Sequence, residues 1–228
     1  MSRQLAFDLP APVRYRREDF FVSPANALAL ATLDRWADWP GGKLVLTGPH
    51  GAGKTHLARL WAAQTGAEVV GAADLAQGDL PELAALGRVA VENAETIAGD
   101  RRAETLLFHL HNMVVPQGRL LVTAGRTVRD WGLVLPDLLS RMQAAPVARI
   151  DGPDDGLLSA VLVKLFADRQ IAVPPNLIAY LVARMDRSIA AARDLVAVLD
   201  ARALAERRPI TRALAAAALG EALDGEEL

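Results

Sequence analysis

The chain has 228 residues, with 52% hydrophobic residues and a formal net charge of -2. That is enough apolar material for a large core, which excludes a globally disordered chain. The near-neutral balance lacks the basic footprint of a general nucleic-acid binder. Cysteine is absent, so disulfides, thiolate zinc sites and cysteine nucleophiles are excluded. The N-terminus has no apolar signal core, and no apolar run is long enough to span a bilayer. These features predict a soluble, cytoplasmic protein with no membrane association.

Residues 1–17 carry two prolines and no sustained period, and read as an extended tail. Ser23-Pro24 predicts a helix start, with serine as cap and proline at the first helical position, running on to Trp36. Gly41-Gly42 separates it from Lys43-Leu44-Val45-Leu46-Thr47, a buried strand by type and length. Gly48-Pro49-His50-Gly51-Ala52-Gly53-Lys54-Thr55 follows, then a predicted helix from Lys54 to about Gln64, stopped near Gly66. Strands are expected at 68–70, 88–92, 119–123 and 147–150, with helices at 80–86, 102–115 and 136–143. Strands alternating with helices predict a parallel sheet covered on both faces. Beyond residue 151 only helical patterns remain, broken at Val173-Pro174-Pro175, near Asp186 and at Arg208-Pro209. The expected division is a tail at 1–17, an α/β domain at 18–151 and a helical domain at 152–228.

The eight residues Gly48 to Thr55 form a phosphate-binding loop in sequence form. Glycines permit the tight turn that aims backbone N–H groups at phosphate oxygens, and the following helix presents its positive end. Lys54 reaches terminal phosphates, and the Thr55 hydroxyl suits magnesium. Glu92, ending an apolar strand, is the candidate acid for the magnesium shell. Asn93 follows it, and an amide cannot accept a proton as a general base. His50 lies inside the loop with its side chain expected to point outward. His109 and His111 stand two apart on a predicted helix and face different ways, so no metal site is expected from them. Arg141 and Arg187 stand out by position. In the tail, Gln4, Leu5, Phe7 and Leu9 have the pattern of a short docking peptide.

In order and spacing these marks resemble the AAA+ family and, within it, the DnaA group of replication initiators and their shorter regulators. The stretches that carry the resemblance are Gly48–Leu57, Val91–Glu95 with Ile97–Asp100, Leu121–Arg126, Leu135–Arg141 and Met185–Arg187. The resemblance implies a P-loop AAA+ α/β domain followed by a small all-helical lid. It implies ADP or ATP as ligand, held by Gly48, Pro49, His50, Gly51, Ala52, Gly53, Lys54, Thr55, His56 and Arg187, with magnesium near Thr55 and Glu92. Thr123 to Arg126 falls on the sensor-one stretch, and Gly125 stands where a polar residue is often found. Asp19 to Ser23 is similar to the segment that lines the adenine pocket. Arg141 falls on the arginine finger that acts on a neighbouring subunit's nucleotide. By strict spacing the lid's phosphate-touching arginine would fall on Ala190; Arg187 is the nearby candidate. Gln4, Leu5, Phe7 and Leu9 fit a DNA polymerase sliding-clamp motif. The implied partners are that clamp and the replication initiator DnaA, with a homo-oligomer allowed and no sequence-specific DNA binding. With glutamate at 92 and asparagine at 93, weak or no ATPase activity is expected, the chemistry taking place in DnaA. The competing expectation is a self-sufficient AAA+ ATPase that loads or remodels another protein.

Overall fold

The computed structural model describes Arg17 and residues 20–224, without the side chains of 221–224. Gln4, Leu5, Phe7, Leu9 and Asp19 lie outside the described residues. Five strands, β1 (Lys43–Thr47), β2 (Glu68–Gly71), β3 (Arg88–Glu92), β4 (Arg119–Ala124) and β5 (Val147–Arg149), form one parallel sheet in the order β2-β3-β4-β1-β5. The expected parallel α/β architecture is therefore present. All five residues of β1 are buried, as required of a strand covered on both faces.

The two faces follow the period of two along each strand. Val45, Val89, Val91, Leu120 and Val122 point to one face and pack with Leu107, Leu110 and Val114 of α4 (Arg101–Val114) and Leu138 and Met142 of α5 (Pro136–Gln143). Leu44, Leu46, Ala90 and Leu121 point to the other. They meet Leu30 and Leu33 of α1 (Ala27–Asp34) and Leu57 and Trp61 of α2 (Lys54–Thr65). The short α3 (Leu80–Ala85) is capped by Asp79, whose carboxylate accepts from the Glu82 N–H.

A third cluster is drawn from α6 (Asp155–Asp168), α7 (Pro175–Val182), α8 (Ile189–Glu206) and α9 (Arg212–Asp224). Leu158, Leu162, Phe166, Leu181, Val196 and Leu199 are at its centre. Asp154 caps α6 and Ser188 caps α8, each accepting from a backbone N–H three residues on.

The first helix differs from the sequence expectation. It begins at Ala27. Ser23-Pro24 forms a turn instead, because the Asn26 amide competes for the local backbone: its Oδ1 accepts from the Ser23 N–H at 2.9 Å and its Nδ2 donates to the Phe21 carbonyl at 2.9 Å.

Candidate functional site

The site lies at the carboxyl ends of β1, β3 and β4, which are adjacent in the sheet and are where open parallel sheets bind ligands. From β1 the chain runs through the glycine-rich loop into α2, whose first residue is Lys54. Gly53 precedes it at φ 106° and Gly51 sits at φ 69°. Both lie in the left-handed region, which L side chains adopt only with strain. The Lys54 ammonium is buried and folds over the loop, donating to the Gly48 carbonyl at 2.7 Å and the Pro49 carbonyl at 2.9 Å. Burial lowers its pKa from the usual lysine value, and the nearby charges of Glu95 and Glu92 oppose that shift.

Two acids face this lysine. Glu92, at the end of β3, is buried, and its Oε1 has no hydrogen-bond partner. Asn93 then turns the chain through a left-handed conformation, φ 55°, while its N–H donates to the buried Thr123 hydroxyl at 3.1 Å. That turn brings Glu95 back toward β4. Glu95 Oε1 accepts from the Gly125 N–H at 2.5 Å, and its Oε2 is buried without a partner. The two orphaned carboxylate oxygens suit a hard dication that prefers oxygen ligands, and Thr55, the second residue of α2, is exposed. No group of three metal-ligating side chains occurs among the described residues, so such an ion would draw further ligands from phosphate oxygens.

The helical part meets the loop directly. The Ile189 N–H, at the start of α8, donates to the Gly51 carbonyl at 2.8 Å. A Cβ on Gly51 would lie 2.5 Å from the Ser188 Cβ, so the loop and this helix start are in close contact. Arg187 is not brought to the loop. Its guanidinium is committed to Asp155 at 2.6 Å and to the Pro153 carbonyl at 3.2 Å. The residues seated on the loop are Ser188, Ile189 and Ala190.

Pro49 and His50 are exposed, while Ala52 is buried. His56 packs its ring 5.3 Å from Phe20, which joins the segment before α1 to the head of α2. Phe21 and Val22 of that segment expose apolar side chains.

Arg141 lies elsewhere. It is exposed on α5, and among the described residues its guanidinium makes no hydrogen bond or ion pair. Burial lowers the pKa of Lys43 and of His111, and the Arg141 charge adds to both shifts; the two side chains meet at 3.2 Å between Lys43 Nζ and His111 Nε2. Lys43 is the first residue of β1 and the loop follows the last. The strand separates the two by about 13 Å, at roughly 3.3 Å per residue.

One buried acid escaped the sequence reading altogether. Glu104 of α4 accepts from the Gly99 N–H at 2.9 Å, the Val134 N–H at 3.0 Å and the Leu135 N–H at 2.7 Å. It thereby ties the residues before α5 to α4. A glutamate at a buried helical spacing, with Leu107, Leu110 and Val114, was the available signal.

No protein-family model matches the chain. Among solved structures, the chain is similar to domain III of the replication initiation protein DnaA from Thermotoga maritima, with 20% identity, TM-score 0.76, and coverage of 91% of this chain and 96% of that one. AMPPCP-bound DnaA from Aquifex aeolicus matches with 19% identity and TM-score 0.68, over 85% of this chain and 67% of that chain. The AAA domain of FIGL-1 in complex with ADP matches with 16% identity and TM-score 0.64, over 85% of this chain and 78% of that chain. These likenesses show an AAA+ fold of the form found in DnaA. No helix among the described residues is long and apolar enough to cross a membrane.

Proposed function

We propose that the chain binds ADP or ATP in the Gly48–Thr55 loop and regulates replication initiation as a protein of the Hda type, stimulating ATP hydrolysis on DnaA. The observation that carries the regulatory half is the placement of Arg141. It is exposed and unpaired among the described residues, and it stands at the far end of β1 from the chain's own loop. An arginine so placed cannot serve its own nucleotide but can reach one held by a neighbour. Aimed at the charge that develops on the transferred phosphoryl, such an arginine speeds hydrolysis by about a thousandfold or more.

In the chain's own site, loop amides and Lys54 would hold the diphosphate, with Phe20, Phe21 and Val22 beside the base. Thr55 and Glu92 would hold magnesium, which neutralises phosphate charge when bound. The contact between Gly51 and the start of α8 would give the nucleotide a route to the position of the helical lid, because the loop that holds it is hydrogen-bonded to Ile189 and packed against Ser188. Gln4, Leu5, Phe7 and Leu9 would dock on the sliding clamp and so deliver Arg141 to DnaA at replicated DNA.

The test is a reconstitution. Purified chain, clamp loaded on DNA and ATP-bound DnaA should together release phosphate, with ADP required and the clamp required. Lys54→Ala should remove both the ADP-induced rise in melting temperature and the stimulation. Phosphate release by DnaA that is the same with and without the chain would sink the proposal.

A further inference from the structure

Seven residues down α2 from Lys54, about 10 Å along the helix at 1.5 Å per residue, Trp61 lines a cavity away from the phosphate loop. Leu30 and Leu33 of α1, Leu57 and Leu60 of α2, and Arg17 also line it, and its volume is about 280 Å³. Trp61 is 2% exposed and its ring stacks on Trp39 at 5.3 Å. The two indoles differ in one respect. Trp39 Nε1 donates to the Thr32 carbonyl at 2.9 Å, whereas Trp61 Nε1 is buried without a hydrogen-bond partner. Buried donors in native proteins are nearly always satisfied, so an open one on the wall of an apolar cavity calls for an occupant with an acceptor. The volume lies below the range of about 300–1,000 Å³ usual for small-molecule sites and suits a single large side chain. Arg17 points to its source. It lines the cavity, its guanidinium is held to Asp34 at 3.5 Å, and its carbonyl accepts from the Phe20 N–H at 3.2 Å. The tail therefore joins the domain at the cavity's edge. Its large apolar side chains are Leu5, Phe7, Leu9, Val13 and Tyr15. Of these, Tyr15 alone joins an apolar body to a hydroxyl acceptor, and at two residues from Arg17 it is within about 7 Å of chain.

We propose that Tyr15 fills this cavity, its ring against the leucines and its phenol oxygen accepting from the Trp61 indole N–H, so that the tail leaves the domain on the face of the sheet covered by α1 and α2. The proposal rests on the docking-peptide reading of Gln4, Leu5, Phe7 and Leu9 and gives it a place. From Tyr15 to Leu9 is about 20 Å of fully extended chain. The clamp is then drawn to the α1–α2 face. Arg141 stands on α5, which packs on the opposite face. Clamp and initiator thus meet opposite sides of the sheet and do not contend for one surface.

The experiment is NMR of the nitrogen-15-labelled full-length chain, with the Trp61 indole N–H peak assigned by its loss in Trp61→Phe. Tyr15→Phe keeps the ring and loses the acceptor, and should move that peak and speed its exchange with water by about tenfold. Tyr15→Ala empties the cavity and should lower the melting temperature by about 5 °C or more. Because the chain has no cysteine, Leu28→Cys on α1 and Met113→Cys on α4, both at exposed positions, each accept one fluorescent label. Added clamp should alter the first label and spare the second. An indole peak that Tyr15→Phe leaves unmoved overturns the proposal. A peak moved instead by Phe7→Ala, by Leu9→Ala or by protein concentration gives the cavity to another occupant and overturns it too. A clamp that alters the label at 113 and spares the one at 28 overturns the placement of the tail. A chain that ignores the clamp removes the docking-peptide reading, and the indole peak, read without clamp, still decides the Tyr15 contact.

Discussion

Arg141→Ala separates the proposed action of this arginine in trans from its effect on the stability of the fold. Its guanidinium is exposed and unpaired among the described residues, and its charge repels Lys43 and His111. Removing it therefore breaks no stabilising contact, and the change in folding stability should stay within about 0.5 kcal/mol. The kinetic effect should be of another size. Loss of an arginine finger slows hydrolysis by about 10³- to 10⁵-fold. At about 1.36 kcal/mol per tenfold in rate, that is about 4–7 kcal/mol of transition-state stabilisation. The assay is phosphate release from ATP-bound DnaA with clamp-loaded DNA, and the variant's thermal melt is recorded in parallel. Arg141→Lys should recover little, since an ammonium lacks the planar fork that spans two phosphate oxygens. Arg149→Ala serves as a control, being an exposed arginine that pairs with Asp151 at 3.0 Å. Stimulation by Arg141→Ala at the wild-type rate, with the fold intact, refutes the reasoning.

Three further outcomes follow from particular contacts. Gly51→Ala should weaken nucleotide binding and lower the melting temperature: its φ of 69° costs an L residue about 1–2 kcal/mol, and the new methyl meets Ser188 at 2.5 Å. Pairing it with Ser188→Gly should recover the clash part and leave the backbone part, as read by melts and ADP titration. Glu104→Ala strands the N–H groups of Gly99, Val134 and Leu135; at about 1–3 kcal/mol for each buried donor, urea denaturation should show a loss of about 3 kcal/mol or more. The His111 pKa is lowered by burial first, against a raising hydrogen bond from Asn112, with the charges of Lys43 and Arg141 lowering it further. A histidine with its folded pKa below its unfolded one binds protons more readily when unfolded. Its contribution is therefore intact above the ordinary histidine value of about 6.5 and is lost as pH falls from there toward the folded pKa. Arg141→Ala should move the His111 ring titration upward in NMR and shrink that acid-side loss; an unmoved titration would show that the two charges do not interact.

The parts of this molecule that were legible in the sequence are those set by local rules. The apolar runs at Lys43–Thr47, Arg88–Glu92 and Arg119–Thr123 foretold buried strands, and the glycines and lysine of the loop foretold the joint between β1 and α2. What was not legible depends on contacts between distant segments. Glu95 looks like a solvated acid until the left-handed Asn93 and the bare Gly125, 30 residues from Glu95, are brought together. Glu104 looks like a helix-surface charge until its carboxylate is found under the loop ahead of α5. Arg187 failed to reach the loop because Asp155, 32 residues earlier, offers a nearer partner, a competition that a linear motif cannot express. Ser23-Pro24 misled for a local reason: Asn26 is the better hydrogen-bonding side chain and pulls the chain into a turn.

The placement of charge along β1 carries a consequence for assembly. Lys54 and its loop lie beyond one end of the strand, and Arg141 lies near the other. If the first receives a nucleotide and the second reaches a neighbour's, contacts between subunits must run head to tail, because one surface cannot be both donor and acceptor of the same arginine. Head-to-tail interfaces build rings or open filaments, whereas two-fold dimers pair a surface with itself. A homo-oligomer of this chain and a mixed assembly with DnaA would then use the same two surfaces and compete for them. Arg141→Ala should therefore cripple action on DnaA without preventing the chain from accepting a neighbour at its own loop. Mixing Arg141→Ala with Lys54→Ala protein should show this: each lacks one end, so between them one functional interface remains, and no more.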